Sequence, residues 1–423
     1  MSNLRKTADM GGLAAARPIQ KAIPLADALD RVLLHLSPVR DIEIVPISDA
    51  RNRILAAPAL APIDLPRDDL AAMDGYAVRT IDLRPGSVVM PIIGTSVAGH
   101  PYNGRVGAGE AVRILTGAVL PAGCDRVVPQ EQCDITGNNV KIDGAAIGKS
   151  NRRRRGEDVS IGETVFQTGH RLRDFDIVLA GALGIQSVQA FRQVRVGLFS
   201  SGDEVKPAGA VLERGQIWDV NRVLFASLLR ALGCAVSDYG VIRDHPVVME
   251  DALMRAARDC DLLVTTGGVS VGSEDHIRSV IGKRGVLEVW PLAIKPGKPI
   301  GFGDIDDCPI VALPGNPLAA LVAFVAFARP VIAGLAGARV QLGGLMLPAG
   351  FARTKPRGVR QFLLANVVAG TDGASIIVPA SRQSPSQISP LAAAQGLAVL
   401  PDDVEAVTIG KALEFVGFES LLL

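Results

Sequence analysis

The chain is predicted to combine a doubly wound α/β domain with a β-rich N-terminal domain, a linker region and a C-terminal β-barrel-like domain. From residue 194 onward, short apolar runs alternate with segments of helical periodicity, as in parallel strands joined by helices. Between about residues 40 and 150, and again after residue 338, short β-branched runs are separated by Gly, Pro and Asn turns. A chain of 423 residues is long enough for several such domains.

The order of these sequence patterns along the chain predicts four structural parts. The N-terminal helical and linker domain covers residues 18–60 and 150–190, the β-rich domain 61–149, the α/β domain 191–337 and the C-terminal β-barrel domain 338–423. The first part contains a helical stripe of leucines and valine that ends before Pro38.

Composition disfavours several classes of protein. The 44 Lys and Arg residues balance 43 Asp and Glu, so no global charge favours nucleic acid or a membrane surface. The five cysteines are scattered and form no C-x-x-C pair, which is typical of reduced thiols in a cytoplasmic protein. The most apolar stretch, residues 317–328, is shorter than the roughly 20 residues that span a bilayer. We therefore expect a buried core helix there, and a cytoplasmic protein that binds neither nucleic acid nor membrane.

The segment 265–276, with the sequence TTGGVSVGSEDH, lies between a strand pattern and a helical pattern. Gly267 and Gly268 permit positive φ and close approach of a ligand. The N–H groups at the start of the following helix favour an anion such as phosphate, whereas Glu274 and Asp275 favour a cation. The segment therefore predicts a phosphate ligand bridged by a divalent cation, with an ordinary capped turn as the alternative.

Other chemically distinctive loops of the α/β region also follow predicted strands. They contribute acids, lysines and prolines: Asp203, Glu204, Asp244, Lys295, Lys298 and the segment 314–317. Ligands of doubly wound folds bind at the carboxyl ends of the strands. We therefore expect acids for a metal and lysines for phosphate to converge on one edge of the sheet.

Three loops of the N-terminal half also carry functional signals. They are the acidic segment 66–76, the turn 116–123 and the arginine-rich segment 151–158. Four consecutive arginines in the last loop would suit an oxyanion, since guanidinium groups bind oxyanions bidentately. The alternative for each loop is a solvated or capped surface turn.

Seven motifs occur in an order that resembles one known family. They are the segments 72–77, 113–117, 153–158, 200–204, 267–272, 295–299 and 313–317. Together they resemble the molybdopterin molybdenumtransferase family, the MoeA type shared with the gephyrin E domain, over nearly the whole chain past its N-terminal tail. The resemblance implies an enzyme of molybdenum cofactor biosynthesis. Such an enzyme inserts molybdate into adenylylated molybdopterin and releases AMP, with Mg²⁺ as its metal.

The resemblance also implies roles for individual residues. The catalytic residues would be Asp69, Thr116, Asp158, Glu204, Asp244 and Asp275, of which Glu204, Asp244 and Asp275 would hold the metal. Lys295, Lys298, Pro314 and Pro317 would contact the substrate, and the Gly-rich and Arg-rich motifs add Gly267, Gly268, Ser270, Gly272, Ser273, Arg153 and Arg154. The family acts as a homodimer whose site combines the α/β domain of one subunit with the β domain of the other. Contact with other molybdenum cofactor enzymes is also expected.

One segment departs from the family pattern. Where the family usually has Phe-Asp-Asn-Ser, this chain has Asp68, Asp69, Leu70 and Ala71. The acid is retained at Asp69, but two polar side chains are replaced by apolar ones. We therefore expect an active but slower transferase.

Two other functions are alternatives to the transferase. The segment 268–272 fits the G-x-S-x-G pattern of a serine hydrolase with Ser270 as nucleophile, but no histidine follows His276, which is too close to serve in that fold. The stronger alternative is a non-catalytic relative that binds a molybdopterin intermediate or acts as a scaffold. AMP release that depends on molybdate would distinguish the enzyme from such a relative.

Overall fold

The structure, a computed structural model, describes residues 22–143, 148–243, 245–267, 276–338, 344–371 and 373–422. Six predicted site residues lie outside these ranges: Asp244, Gly268, Ser270, Gly272, Ser273 and Asp275. The chain divides into two compact units. The larger unit comprises residues up to Glu43, residues 52–54 and residues from Phe191 onward, and the smaller comprises Ile44–Arg51 and Leu55–Ala190.

A six-stranded sheet organises the larger unit. Its strands, in spatial order, are Ala235–Ile242, Arg195–Ser201, Leu262–Thr266, Cys308–Leu313, Pro299–Ile305 and Gly285–Pro291. The first four run parallel, and Pro299–Ile305 is antiparallel to both of its neighbours, Cys308–Leu313 and Gly285–Pro291. Because the second strand along the chain lies outside the first, and the third lies on its other side, the sheet is doubly wound, as predicted.

The strand Pro299–Ile305 was not predicted. Its apolar pattern is interrupted by Gly301 and Gly303, which read as loop residues in the sequence. In the sheet Gly303 allows close strand approach, since a Cβ at this position would lie 1.7 Å from the carbonyl oxygen of Val286. A glycine is therefore required at position 303 of this strand, because the neighbouring backbone occupies the space that a side chain would need.

Helices cover both faces of this sheet. The helical segments of the larger unit before residue 338 are Leu25–Leu33, Val220–Ala231, Pro246–Asp259, His276–Ile281, Pro317–Ala323 and Arg329–Leu335, with a π-helical turn at Phe324–Ala328. Val264 packs in one apolar cluster with Phe225, whereas the adjacent Leu263 packs in a second cluster with Leu253. Successive side chains of this strand thus enter opposite cores, which explains its uninterrupted apolar sequence.

The helical stretch Pro317–Leu335 is long and apolar enough to cross a membrane by length and composition alone. In this fold, 94% of its most apolar window is buried inside the protein. Phe324 stacks on Phe225 with ring centroids 5.0 Å apart, and Phe327 meets the edge of Trp290 at 6.4 Å. The stretch is the central core helix of the larger unit, as predicted.

The C-terminal part of the larger unit is β-rich, as predicted. Its strands are Leu345–Pro348, Arg353–Thr354, Arg360–Ala369, Ser375–Pro379, Gly396–Leu400, Ala406–Val407 and Ala412–Gly417, with the short helices Ser389–Ala393 and Glu419–Leu422. The two-residue strand Ile294–Lys295 joins the edge of this sheet, where Lys295 lies opposite Gln361. Two further short strands, Val205–Lys206 and Ile217–Trp218, pair with each other.

The smaller unit is also β-rich. Its main sheet contains, in spatial order, Arg126–Pro129, Gly75–Val78, Ala111–Ile114, Ser87–Ser96, Asn139–Asp143 and Cys133–Thr136. The remaining elements are the strands Ala59–Leu60, Leu70–Ala71, Arg152–Arg153 and Thr164–Phe166, the helix Asp174–Ala182 and the 3₁₀ turns Ile47–Asp49, Thr80–Asp82 and Gln130–Gln132. The strands Ile42–Pro46 and Ser187–Phe191 lie where the chain passes between the units.

Candidate functional site

The described site residues fall into two sets. The larger unit contains Glu204, Gly267, Lys295, Lys298, Pro314 and Pro317, and the smaller contains Asp69, Thr116, Asp158, Arg153 and Arg154. Within the larger unit, Glu204 follows the strand Arg195–Ser201 and Gly267 follows the neighbouring strand Leu262–Thr266. The chain continues from Arg195–Ser201 to a strand on one side of it and then to Leu262–Thr266 on its other side. The carboxyl ends of Arg195–Ser201 and Leu262–Thr266 therefore border the crevice where ligands bind in doubly wound folds.

Gly267 allows three strand ends to approach one another. Its φ is +89°, and a Cβ at this position would lie 2.8 Å from the carbonyl oxygen of Ser201. Its N–H donates to the carbonyl of Leu313 at 3.1 Å. Gly267 therefore comes close to the protein's own backbone, and close approach of a ligand to it stays a prediction.

Glu204 presents an exposed carboxylate beside this turn. The side chain bends back over Gly202, where a Cβ would lie 2.7 Å from Oε2 of Glu204. The backbone is anchored, because the carbonyl of Glu204 accepts the N–H of Ile217 at 2.8 Å. Among the described residues, no hydrogen bond or ion pair occupies this carboxylate, so its oxygens remain available to a cation.

The loop from Pro314 to Pro317 is held from two sides. The side-chain amide of Asn221, itself only 7% exposed, donates to the carbonyl of Gly315 at 2.7 Å. The N–H of Leu318 donates to the carbonyl of Pro385 at 3.1 Å. Pro317 starts the core helix at a position where its missing N–H costs nothing. The two prolines therefore shape the loop, and Asn221 fixes its position.

Asn221 is a site-supporting residue that was not predicted. The only signal is its place in the first turn of the helix Val220–Ala231, immediately after the N-cap Asp219. Asp219 is 3% exposed and accepts the N–H of Arg222 at 3.0 Å, which fixes where the helix begins. The contact with Gly315 spans 94 residues, so no local pattern could have indicated it.

Lys295 and Lys298 line a cavity of about 330 Å³ between their own loop and the segment 355–361. Both side chains are exposed. The loop is rigidly held, since the carbonyl of Lys298 accepts the N–H of Leu292 at 2.7 Å, and Gly297 has a φ of +99°. The predicted stiff loop therefore places both lysines at one cavity.

Lys355 is a third lysine of the cavity lining and was not predicted. It is 7% exposed, and its Nζ donates to the carbonyls of Val359 at 2.8 Å and Pro356 at 3.3 Å. Burial lowers the pKa of this lysine from its ordinary value. The Nζ of Lys355 is thus occupied by these carbonyls, and the exposed Lys295 and Lys298 are the two lysines of the lining whose charge favours an anion such as molybdate or phosphate.

Asp69 organises the arginine-rich segment of the smaller unit. Its Oδ1 accepts the backbone N–H of Arg155 at 2.8 Å, and its Oδ2 accepts Nη1 of Arg152 at 3.1 Å. The strand Leu70–Ala71 that follows pairs with Arg152–Arg153. The acidic loop and the arginine segment, 83 residues apart in the chain, therefore form one structure.

Most of the arginines are paired with acids. Nε of Arg153 donates to Glu157 at 3.1 Å, and Nε of Arg155 donates to Asp64 at 2.6 Å. The N–H of Ile161 and the guanidinium of Arg155 lower the pKa of Asp64 from its ordinary value. Arg154 is the one arginine of this segment whose guanidinium has no partner among the described residues, so it is the best placed for an oxyanion.

Thr116 is bound to Asp74. Its hydroxyl donates to Oδ1 of Asp74 at 2.7 Å, and its N–H donates to the same oxygen at 2.8 Å. Asp158 is exposed, and its N–H donates to the carbonyl of Leu65 at 3.0 Å. Among the described residues, no group of three or more His, Cys, Asp and Glu side chains is arranged to hold a metal.

Most of the chain is similar to known proteins. It matches three families in order: "MoeA N-terminal region (domain I and II)" over residues 23–184, "Probable molybdopterin binding domain" over 197–334 and "MoeA C-terminal region (domain IV)" over 347–418. A molybdopterin molybdenumtransferase of Haemophilus influenzae is 40% identical over 317 residues, which are 74% of this chain and 78% of that protein. Molybdopterin molybdenumtransferase 2 of Mycobacterium tuberculosis is 34% identical over 88% of this chain and 93% of its own length.

Solved structures agree with this relationship. A molybdopterin biosynthesis MoeA protein from Pyrococcus horikoshii superposes with a TM-score of 0.76 at 30% identity, covering 94% of this chain and 99% of that one. A second structure of a MoeA protein from the same organism gives a TM-score of 0.80 at 25% identity, again over 94% of this chain and 100% of that one. The chain belongs to the molybdopterin molybdenumtransferase family of the MoeA type.

Proposed function

We propose that this protein inserts molybdate into adenylylated molybdopterin and releases AMP, as a step of molybdenum cofactor biosynthesis. The observation that carries the proposal is the cavity lined by Lys295, Lys298 and Lys355, in a chain that is related over 88% of its length to a protein named as a molybdenum transferase. Molybdate and phosphate are anions, and ammonium groups bind both through charge-assisted hydrogen bonds. Arg154 offers a further cation in the smaller unit.

Mg²⁺ is proposed as the metal. The donor chemistry fits, because Mg²⁺ prefers oxygen ligands and is usually held by one or two carboxylates together with substrate phosphates. Glu204 would hold it with an exposed carboxylate, and the other two proposed ligands, Asp244 and Asp275, lie outside the described residues. When bound, Mg²⁺ would offset the charge that develops as the adenylate leaves.

We further propose that the enzyme is a cytoplasmic homodimer whose site is shared between subunits. The family resemblance supports this arrangement, in which the α/β residues of one subunit would act beside the β-domain residues of the other. Contact with other enzymes that use or make the cofactor, and the four-part domain division, remain part of the proposal. Mixing Glu204→Gln and Asp69→Ala proteins should restore activity through hybrid dimers, whereas a site within one subunit would give no recovery.

The proposed reaction is tested by following AMP over time. Purified protein is incubated with adenylylated molybdopterin, Mg²⁺ and molybdate, and parallel reactions omit each component. We expect AMP release that requires molybdate. Tight binding of adenylylated molybdopterin without any molybdate-dependent AMP release would instead support the non-catalytic binding protein.

A further inference from the structure

The turn at residues 115–118 has no free backbone donors. The N–H of Leu115 donates to Ser96 at 3.1 Å, that of Gly117 to Ala71 at 2.9 Å and that of Ala118 to Leu115 at 3.0 Å. The N–H of Thr116 donates to Asp74, as described above. Loops that bind phosphate do so with unpaired N–H groups. This glycine-containing turn is therefore not built to bind an anion through its backbone.

The hydroxyl of Thr116 is committed in the same way. A threonine hydroxyl has one proton and two acceptor lone pairs, and an ionised carboxylate can only accept. Donation from the hydroxyl and the N–H of Thr116 lowers the pKa of Asp74 below its ordinary value, so this carboxylate is ionised at neutral pH. The single proton of Thr116 therefore points to Asp74, and its oxygen is left as an acceptor.

The position of Asp74 is fixed by the sheet. The carbonyl of Asp74 accepts the N–H of Gln130 at 3.1 Å. The next residue, Gly75, pairs with Ile114 on one side and Pro129 on the other. A Cβ on Gly75 would lie 2.0 Å from the carbonyl oxygen of Val128, so the strand is held closely against its neighbour. The carboxylate is thus presented to Thr116 from a rigid strand end.

We propose that Asp74 is a positioning residue that makes Thr116 a hydrogen-bond acceptor, so that this pair recognises an N–H or O–H donor of the substrate and not an oxyanion. The identity of that substrate rests on the proposed function. Molybdate and phosphate oxygens offer acceptors at neutral pH, whereas the pterin ring, the adenine amino group and the ribose hydroxyls offer donors. The exposed Thr116 would therefore accept a hydrogen bond from the pterin, adenine or ribose of adenylylated molybdopterin.

Four variants separate the two residues. Thr116→Val removes the oxygen while keeping the shape, and Thr116→Ser keeps the hydroxyl. Asp74→Ala frees the hydroxyl to rotate, and Asp74→Asn keeps an acceptor oxygen in place. Dissociation constants are measured by calorimetry for adenylylated molybdopterin, with and without Mg²⁺, and for molybdate alone as a probe that has only acceptors at neutral pH.

Thr116→Val and Asp74→Ala should each weaken binding of adenylylated molybdopterin about twofold to tenfold, the value of one neutral hydrogen bond. Thr116→Ser and Asp74→Asn should bind nearly as the parent does. The Asp74→Ala, Thr116→Val double variant should be no weaker than the weaker single variant, because both remove the same contact. Molybdate binding should be unchanged in all of them, and the effects should persist without Mg²⁺.

Three results would overturn the inference. Weaker molybdate binding in Thr116→Val would make Thr116 a donor to the oxyanion. Additive losses in the double variant would show that Asp74 does not act through Thr116. An effect seen only with Mg²⁺ would assign the pair to the metal instead of a donor group.

A measurement without substrate keeps this test separate from the proposed function. The titration of the Asp74 carboxyl is followed by nuclear magnetic resonance in the parent and in Thr116→Val. Its pKa should rise in the variant, and an unchanged pKa would overturn the pairing even if Asp74→Ala failed to fold. If the parent does not bind adenylylated molybdopterin, the proposed function is wrong, and this titration together with molybdate binding decides the inference.

Discussion

The Oδ1 atom of Asp69 accepts the backbone N–H of Arg155 at 2.8 Å. This contact joins the acidic loop to the arginine-rich segment, and the guanidinium of Arg152 strengthens the junction at 3.1 Å. Asp69 was predicted to be catalytic from its position in the family pattern. Its contacts give it a structural task as well, since both carboxylate oxygens hold the segment that presents Arg154.

Asp69→Ala should loosen the arginine segment. Removing both acceptors leaves the N–H of Arg155 and the guanidinium of Arg152 without their partner, so we expect faster tryptic cleavage within residues 152–155 and lower AMP release. Asp68→Ala is the matched control, because Asp68 is exposed and its carboxylate has no partner among the described residues. Equal cleavage rates in the two variants would contradict a holding role for Asp69.

Leu70 and Ala71 should respond differently to the polar residues of the family pattern. Ala71 is 1% exposed and packs in an apolar cluster with Ile114 and Leu120, so Ala71→Ser buries a hydroxyl at a cost of about 1–3 kcal/mol. Leu70 is partly exposed, and Leu70→Asn should leave the fold intact. We expect Leu70→Asn to raise the rate of AMP release about tenfold or less, the value of one or two neutral hydrogen bonds.

Denaturant unfolding of each single variant checks the stability half of this prediction. A lower midpoint in Ala71→Ser with an unchanged midpoint in Leu70→Asn is the expected result. Unchanged AMP release in Leu70→Asn would show that the side chain at position 70 does not limit the rate.

Lys298→Ala should weaken substrate binding. A charge-assisted contact contributes about 1.5–3 kcal/mol, which corresponds to roughly tenfold to hundredfold in the dissociation constant. Lys283→Ala is the control for lost charge, since Lys283 is an exposed lysine whose Nζ pairs with Glu250 at 2.6 Å. If calorimetry gives the same dissociation constant for Lys298→Ala and for the parent, Lys298 does not contact the substrate and is only a solvated residue of the loop.

Glu204→Gln should reduce the affinity for Mg²⁺ and with it the rate of AMP release. The carboxylate is exposed and unpaired among the described residues, so the substitution should leave the unfolding midpoint unchanged. Glu213→Gln is the control, an exposed acid of the same region whose carboxylate accepts the side-chain amide of Gln216 at 3.5 Å. If higher Mg²⁺ concentration does not recover any activity in Glu204→Gln, the assignment of Glu204 to the metal is wrong.

Asp261 should make the larger unit sensitive to acid. Burial raises its pKa, but hydrogen bonds from Arg192 and Arg195 outweigh burial and lower it to about 2. The guanidiniums donate at 2.7 and 3.0 Å. Because the folded pKa lies below the ordinary value of about 3.9, the carboxylate contributes about 2 kcal/mol above pH 4, and this contribution is lost as pH falls from 4 to 2.

Asp261→Asn should therefore lower the free energy of unfolding by about 2 kcal/mol at pH 7, with a difference that shrinks toward pH 2. The neighbouring exposed Asp259→Asn should change it little at any pH. Denaturant titrations of the three proteins at several pH values measure both effects. A difference between Asp261→Asn and the parent that stays constant with pH would show that ionisation of Asp261 is not its source.

Local periodicity accounts for what could be predicted of the fold. The buried strand Leu262–Thr266 is a continuous apolar run because helices cover both faces, and the leucines of Val220–Ala231 repeat at helical spacing because one face is buried. Asn221 and Lys355 were missed as parts of the site because their roles depend on distant contacts, and Asp74, although it lies in the acidic segment 66–76, was given no role of its own for the same reason. Each acts through partners brought to it by the fold, and in isolation each resembles an ordinary polar residue.

The sequence by itself determined the fold class, the family and the loops that carry the chemistry, because side-chain periodicity and motif order are local properties of the chain. Only the tertiary structure decided which groups in those loops remain available. Sheet register brings Asp74 and Thr116, 42 residues apart, into contact. It also pairs three of the four arginines with acids and leaves Arg154 unpartnered among the described residues. Two groups form a hydrogen bond when the fold brings them within about 3 Å of each other, and their separation along the chain does not reveal whether it does.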